Sequence, residues 1–183
     1  MVPAAGAKML KPGDTAPFFD LPCAVGGRAG RLRLSQIDTE MVVLLFYPHD
    51  FSFICPTEVV GFHNAREAFA AEHTSIVAAS VDDAATHLRW ARELGGISYP
   101  LLADEGGALA RAYGVFDERE GLAMRATFIL DSKRTIVYCV ASPVNVGRSV
   151  SETLRVACAL RSGRMCPADW EPGGQFGPAG HKD

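Results

Sequence analysis

An α/β fold built on a mixed central sheet flanked by helices is what this sequence predicts, on three observations. Apolar runs of five to seven residues recur along the chain. Stretches with apolar residues at helical spacing fill the gaps between the early runs, the pattern that alternating strands and helices leave. The last two runs are separated only by a turn, which makes them an antiparallel hairpin and the sheet mixed.

Taken in order, the first run is Val42-Val-Leu-Leu-Phe-Tyr47, closed by Pro48. No polar residue interrupts it, as expected of a strand buried on both faces. Val59 to Glu72 then carries apolar residues at helical spacing, and Ser75 to Val81 is a second buried strand. Asp83 is placed to cap a helix over Ala84 to Leu94, and Gly95-Gly96 to stop it. Glu105 to Tyr113 is a third helical stretch. Ala126 to Leu130, a turn at Asp131 to Arg134, and Thr135 to Val140 form the hairpin. Ser149 caps a last helix ending near Leu160. One domain over residues 1–160 and an arm over 161–183 follow. In the arm's tail, Glu171 to Asp183, six of thirteen residues are Gly or Pro, which reads as a flexible extension on the surface or on a partner chain.

Composition narrows the function classes. With 183 residues, 48% of them apolar and 21% charged, the chain is neither disordered nor fibrous. A net charge of −3 argues against a dedicated nucleic-acid binder. No apolar run reaches the roughly 20 residues that cross a bilayer. The opening MVPAAGAKMLKPGDTAPFF lacks an apolar core behind a positive charge and does not read as a signal peptide, so a cytoplasmic protein is expected. The five cysteines, Cys23, Cys55, Cys139, Cys158 and Cys166, contain no CxxC pair, and the five histidines show no metal-ligand spacing. No metal or organic cofactor is expected.

The chemistry concentrates in Phe46 to Glu58, FYPHDFSFICPTE. A buried strand ends at Pro48 and a helix begins a few residues on, the end of an α/β sheet where sites form. Pro56 follows Cys55, and proline is tolerated in a helix only in its first turn. The Cys55 sulfur therefore lies at the positive end of the helix dipole, which favours a thiolate. Ser52 stands three residues earlier on the same face, within reach to donate its hydroxyl to that sulfur.

This segment resembles a known pattern. Pro48-x-x-x-Ser52-x-x-Cys55 is similar to the peroxidatic-cysteine motif of peroxiredoxins, Pro-x-x-x-(Thr or Ser)-x-x-Cys. The longer string resembles the FYP-x-DFTF-x-CPTE signature of the typical two-cysteine subfamily, which includes the bacterial alkyl hydroperoxide reductases and the thiol-specific antioxidant proteins. Lys11 to Phe18, Ser80 to Trp90, Pro100 to Asp104, Arg125 to Asp131, Val146 to Arg155 and Cys166 to Gly173 extend the resemblance over residues 11–173.

The resemblance implies a thioredoxin-like fold and a thiol peroxidase serving antioxidant defence and redox homeostasis. It makes Cys55 the peroxidatic nucleophile, Pro48 its shield from bulk water, and Ser52 and Arg125 the donors to sulfur and peroxide. Glu58 and Arg148 become the pair that orients Arg125. Cys166 becomes the resolving cysteine, closing an intersubunit disulfide on Cys55 that a thioredoxin-like or flavoprotein reductant reopens. Implied partners are a hydroperoxide, that reductant and a second copy of the chain, in a homodimer or a decameric ring of dimers. Cys23, Cys139 and Cys158 are left as small buried hydrophobes, and His49 has no assigned role.

Two departures stand out. Where hyperoxidation-sensitive relatives carry GGLG, this chain has Gly95-Gly-Ile-Ser98, and no Tyr-Phe pair follows Trp170. The resemblance then implies resistance to over-oxidation. Two other readings compete with it: a redox-controlled holdase or peroxide sensor on the same scaffold, and a cysteine hydrolase with His49 as base.

Overall fold

The computed structural model describes residues 8–178. Its strands and helices run β1 Asp20–Val25, β2 Arg28–Arg33, β3 Met41–Phe46, α1 Cys55–Asn64, α2 Arg66–Ala71, β4 Thr74–Ser80 and α3 Ala84–Glu93. Then come β5 Leu101–Ala103, α4 Ala108–Ala112, β6 Phe116–Asp117, β7 Leu122–Ala123, β8 Arg125–Leu130, β9 Ile136–Ser142 and α5 Val150–Ser162.

All six residues of β3 are buried, because the strand lies mid-sheet with side chains packed on both faces. The sheet has seven strands in the order β2-β1-β5-β4-β3-β8-β9. The β3–β4 and β4–β5 pairs are parallel, and the β3–β8 and β8–β9 pairs antiparallel. This is the mixed sheet that the strand–helix alternation and the closing hairpin predict together, in a thioredoxin-like fold.

Because side chains alternate along a strand, β3 feeds two cores. Val42, Leu44 and Phe46 pack with Leu109, Ala110 and Tyr113 on and after α4. Val43, Leu45 and Tyr47 pack with Cys55, Val59 and Phe62 of α1, and with residues of α2, α3 and α5. Each large apolar side chain removed from water contributes about 1.5–3 kcal/mol. The reactive cysteine's helix is thus pressed onto the sheet by one continuous core.

Both expected caps form: Asp83 accepts from the Thr86 N–H at 2.7 Å and Ser149 from the Glu152 N–H at 3.1 Å. Three features differ from the sequence reading. The helix expected over 59–72 begins at Cys55 and breaks at Ala65 into α1 and α2. The apolar spacing runs through the break because Phe62 and Phe69, with ring centroids 5.8 Å apart, enter the same core. The β1–β2 hairpin carries no apolar run in its second strand, which is an exposed edge whose Arg31 and Arg33 clasp Asp20 at 2.6 and 2.9 Å. Its turn is Gly26-Gly27, with φ of 55° and 75°, the positive values that a two-residue hairpin turn of this kind needs. The two-residue strands β6 and β7 form a small separate ribbon.

After α5 the arm folds back locally. Trp170 is buried, its indole N–H donates to the Gly174 carbonyl at 3.3 Å, and its ring lies 5.3 Å from that of Phe176. Residues 179–183 of the expected flexible tail, His181 among them, lie outside the described residues. Among the described residues, no helix is long and apolar enough to cross a membrane.

Candidate active site

The site forms where β3 ends. The chain leaves the sheet at Tyr47, crosses a loop and re-enters as α1, whose first residue is Cys55. Pro56 sits in the first turn, where its missing N–H costs nothing. Cys55 is fully buried. Ser52 Oγ accepts the Cys55 backbone N–H at 3.2 Å. The hydroxyl thus takes up one of the unpaired donors at the helix start, and this contact is to the backbone, where the sequence reading placed it on sulfur.

Strand register supplies the charge. Phe46 pairs with Ala126, so Arg125 stands one residue past the end of β3, over the loop's exit. Its Nη1 donates to Cys55 Sγ at 3.2 Å and to Glu58 Oε2 at 2.7 Å, and its Nε donates to the Val144 carbonyl at 2.7 Å. Glu58, one turn after Cys55 on α1, is buried and accepts from both arginines. Arg148 reaches its Oε1 through the backbone N and Nε, each at 2.8 Å, and its Oε2 through Nη2 at 3.0 Å. Arg148 Nη1 also donates to the Ala126 carbonyl at 2.6 Å.

The balance of charge follows. Two guanidinium groups share one carboxylate, which leaves one positive charge in excess beside Sγ, the complement of a thiolate. Burial pulls the Glu58 carboxyl up, yet the hydrogen bonds and charge of Arg148, with the charge of Arg125, outweigh it and hold the group below its ordinary value. Among the described residues, the side-chain donor on Sγ is this guanidinium and not an imidazole. That argues against a cysteine hydrolase, which needs a base at the sulfur.

A second buried network braces the loop from below. Tyr47 Oη donates to Asp50 Oδ1 at 2.8 Å, and His87 Nδ1 lies 2.8 Å from Asp50 Oδ2. His87 Nε2 faces the Leu102 carbonyl at 3.1 Å, which can only accept, so that nitrogen carries hydrogen. The Asp50 N–H donates to Asp82 at 2.8 Å. Asp50, Asp82 and His87 hold their ligand-type atoms within 4.8 Å of one another. Both Asp50 oxygens and Asp82 Oδ2 are already taken up by protein hydrogen bonds, so the cluster is a brace. Beside it Phe51 is held at φ 54°, the left-handed region that a residue with a large side chain rarely adopts.

A cleft of about 520 Å³ opens over Pro48, Ser52 and Arg125. Cys166 is elsewhere, in the arm after α5, half-buried and 3.6 Å from the Arg164 carbonyl. It borders another cleft, with Tyr138 and Arg155. All five thiols are free. Burial pushes the thiols of Cys23, Cys139 and Cys158 up, as in inert structural cysteines.

The family model described as "AhpC/TSA family" matches residues 12–139. The chain belongs to the AhpC/TSA family. It is 40% identical over 171 residues to peroxiredoxin prdx-2 of Caenorhabditis elegans, covering 88% of this chain and 85% of that one. It is 37% identical over 174 residues to a thioredoxin peroxidase of Fasciola hepatica, covering 90% of each. Among solved structures, reduced two-cysteine peroxiredoxin of Plasmodium vivax superposes with a TM-score of 0.84 at 30% identity, over 91% of this chain and 92% of that one. Mycobacterium tuberculosis AhpC does so with 0.82 at 30% identity, over 90% and 100%.

In this peroxiredoxin the fold brings Pro48, Ser52, Cys55, Glu58, Arg125 and Arg148 to one place and leaves Cys166 apart. Sequence reasoning missed the Tyr47–Asp50–His87 brace and the Val144 carbonyl that fixes Arg125 Nε. The first carried a signal, since Asp50 lies within the motif and His87 shares the buried face of α3 with Trp90 and Ala91, at helical spacing from both. The second is a backbone atom and carried none.

Proposed function

We propose that this thiol-dependent peroxidase works through Cys55, with Cys166 as the resolving thiol. What supports the reading best is Arg125 Nη1 at 3.2 Å from the buried Cys55 Sγ, locked there by Glu58. The Cys55 thiolate attacks the terminal oxygen of a hydroperoxide. An S–O bond forms as the O–O bond breaks, sulfur loses two electrons, and the other oxygen leaves as water or an alcohol once protonated. Arg125 and the Ser52 hydroxyl stabilise the charge that passes from sulfur to the leaving oxygen. Pro48 keeps bulk water from the sulfur.

The Cys166 thiol then displaces the sulfenic hydroxyl as water, forming a disulfide. Cys55 has no exposed surface, so the first turn of α1 must open before a second thiol reaches it. Cys166 belongs in this reading to the arm of a second copy, in a homodimer or a decameric ring of such dimers. A thioredoxin-like or flavoprotein dithiol reductant restores both thiols by exchange. The domain of residues 1–160 carries the first half-reaction and the arm of 161–183 the second. The cytoplasm fits this cycle, because its reductants keep resting thiols reduced.

Mass spectrometry of peroxide-treated, non-reduced protein tests the reading. A Cys55–Cys166 linkage between two chains is the expected result. A linkage that omits either residue, or one within a single chain, would overturn the corresponding step.

A further inference from the structure

The cleft above Cys55 extends beyond the groups that grip the peroxide bond. Its walls are apolar: Phe53, Leu122, Met124 and Val144 line it, and Phe53 is 93% exposed. Any hydroperoxide larger than hydrogen peroxide must lay its body along them. Three polar side chains on the same cleft have no part in the chemistry at sulfur: His49, Asp117 and Glu120.

His49 is the informative one. Its ring is exposed, and Nδ1 lies 2.6 Å from the Asp50 carbonyl oxygen. A carbonyl only accepts, so Nδ1 carries the hydrogen, and the tautomer that satisfies this contact presents Nε2 as a lone pair. Among the described residues no hydrogen-bond partner occupies Nε2. The peptide it leans on is rigid, because Asp50 is tied to Asp82 through its N–H and to Tyr47 and His87 through its carboxyl. Asp117 and Glu120 add carboxylate oxygens, which also only accept. Of these three side chains, His49 offers an acceptor nitrogen, while Asp117 and Glu120 carry the negative charge; Asp117 Oδ1 is engaged by the N–H groups of Arg119 and Glu120, which leaves its Oδ2.

We propose that His49 is a specificity-determining residue of the peroxidase. With Asp117 and Glu120, its Nε2 selects organic hydroperoxides that carry a hydroxyl or similar donor beyond a short apolar body, and the same groups turn away those ending in a carboxylate. A hydroxyl can donate to Nε2, while a carboxylate has no proton to give and meets like charge. In a half-wet cleft, like charges a few ångström apart cost on the order of tenfold in binding. The proposal rests on the peroxidase reading and concerns only the part of the cleft beyond the reacting atoms.

Three six-carbon hydroperoxides differing only at the far end (methyl, hydroxyl or carboxylate) test it. For each, kcat/KM is measured relative to hydrogen peroxide. Wild type should favour the hydroxyl compound over the methyl by about fivefold, one good hydrogen bond's worth. It should disfavour the carboxylate by about tenfold. His49→Leu should bring the hydroxyl-to-methyl ratio near one, and the double variant Asp117→Asn, Glu120→Gln should recover most of the carboxylate rate. Ratios near one in wild type, or ratios that both variants leave unchanged, would overturn the proposal. Failure to consume hydrogen peroxide and all three compounds would instead overturn the peroxidase reading on which it stands.

Discussion

Glu58→Gln is the substitution that most directly probes how this site is built. The carboxylate accepts four hydrogen bonds, two on Oε1 from Arg148 and two on Oε2 from Arg125 and Arg148. Glutamine keeps one acceptor oxygen and puts an NH₂ where the other oxygen faces two guanidinium N–H groups. Two charge-assisted bonds are lost, each worth about 1.5–3 kcal/mol. Two buried arginines also lose the carboxylate they share, and breaking a buried pair in this way costs about 3–5 kcal/mol. The two figures describe the same loss and agree. At about 2–4 °C per kcal/mol for a domain of this size, Tm should fall by roughly 10 °C. Arg125 should lose its fix beside Sγ, and peroxide consumption followed by stopped flow should slow by at least about tenfold. The effect should depend on pH. The folded carboxyl titrates below its ordinary value of 4.5, so its contribution is complete above that pH and fades as pH falls through the lower folded value. The gap in stability between wild type and variant should therefore shrink as the solution is acidified below pH 4.5. A variant that melts within about 2 °C of wild type and reduces peroxide at the wild-type rate would refute this account.

Other outcomes follow from the same geometry. Cys55→Ser should abolish peroxide consumption while leaving the melting curve close to wild type, because a hydroxyl is a far weaker nucleophile here; substantial remaining turnover would remove Cys55 from its role. Arg125→Ala should cut the rate of peroxide reduction by at least about tenfold, the cost of a lost charged donor, and an unchanged rate would show that the 3.2 Å contact does no chemistry. Cys166→Ser should still consume the first equivalent of peroxide but fail to cycle with a dithiol reductase, and should stay monomeric on a non-reducing gel where wild type runs as a dimer; normal cycling would release Cys166 from the mechanism. His87→Leu leaves the buried Asp50 without its ring partner and should cost about 3–5 kcal/mol in urea unfolding. A loss below about 1 kcal/mol would mean that the brace is not structural.

Much of this protein is written locally in its chain. The strands β3, β4 and β8 are legible because a strand in the middle of a sheet must be apolar along its whole length, and β9, at the sheet's edge, because the turn at Asp131 to Arg134 pairs it with β8. The caps at Asp83 and Ser149 are legible because an unpaired helix N–H calls for an oxygen at one fixed place. Cys55 at a helix start, flanked by Ser52 and Pro56, is legible for the same reason, since a helix N-terminus is a local object. The edge hairpin β1–β2 is not, because its second strand faces water and has no apolar pattern to show. The site as a working arrangement is not local either. Arg125 reaches Cys55 from 70 positions away, and Arg148 reaches Glu58 from 90. His87 reaches Asp50 from 37 positions away. Periodicity reports which face of a segment is buried, but not what that face will meet. The meeting is decided by strand register, which sets Ala126 against Phe46 and so carries a guanidinium to the end of β3 where the chain turns out toward its cysteine.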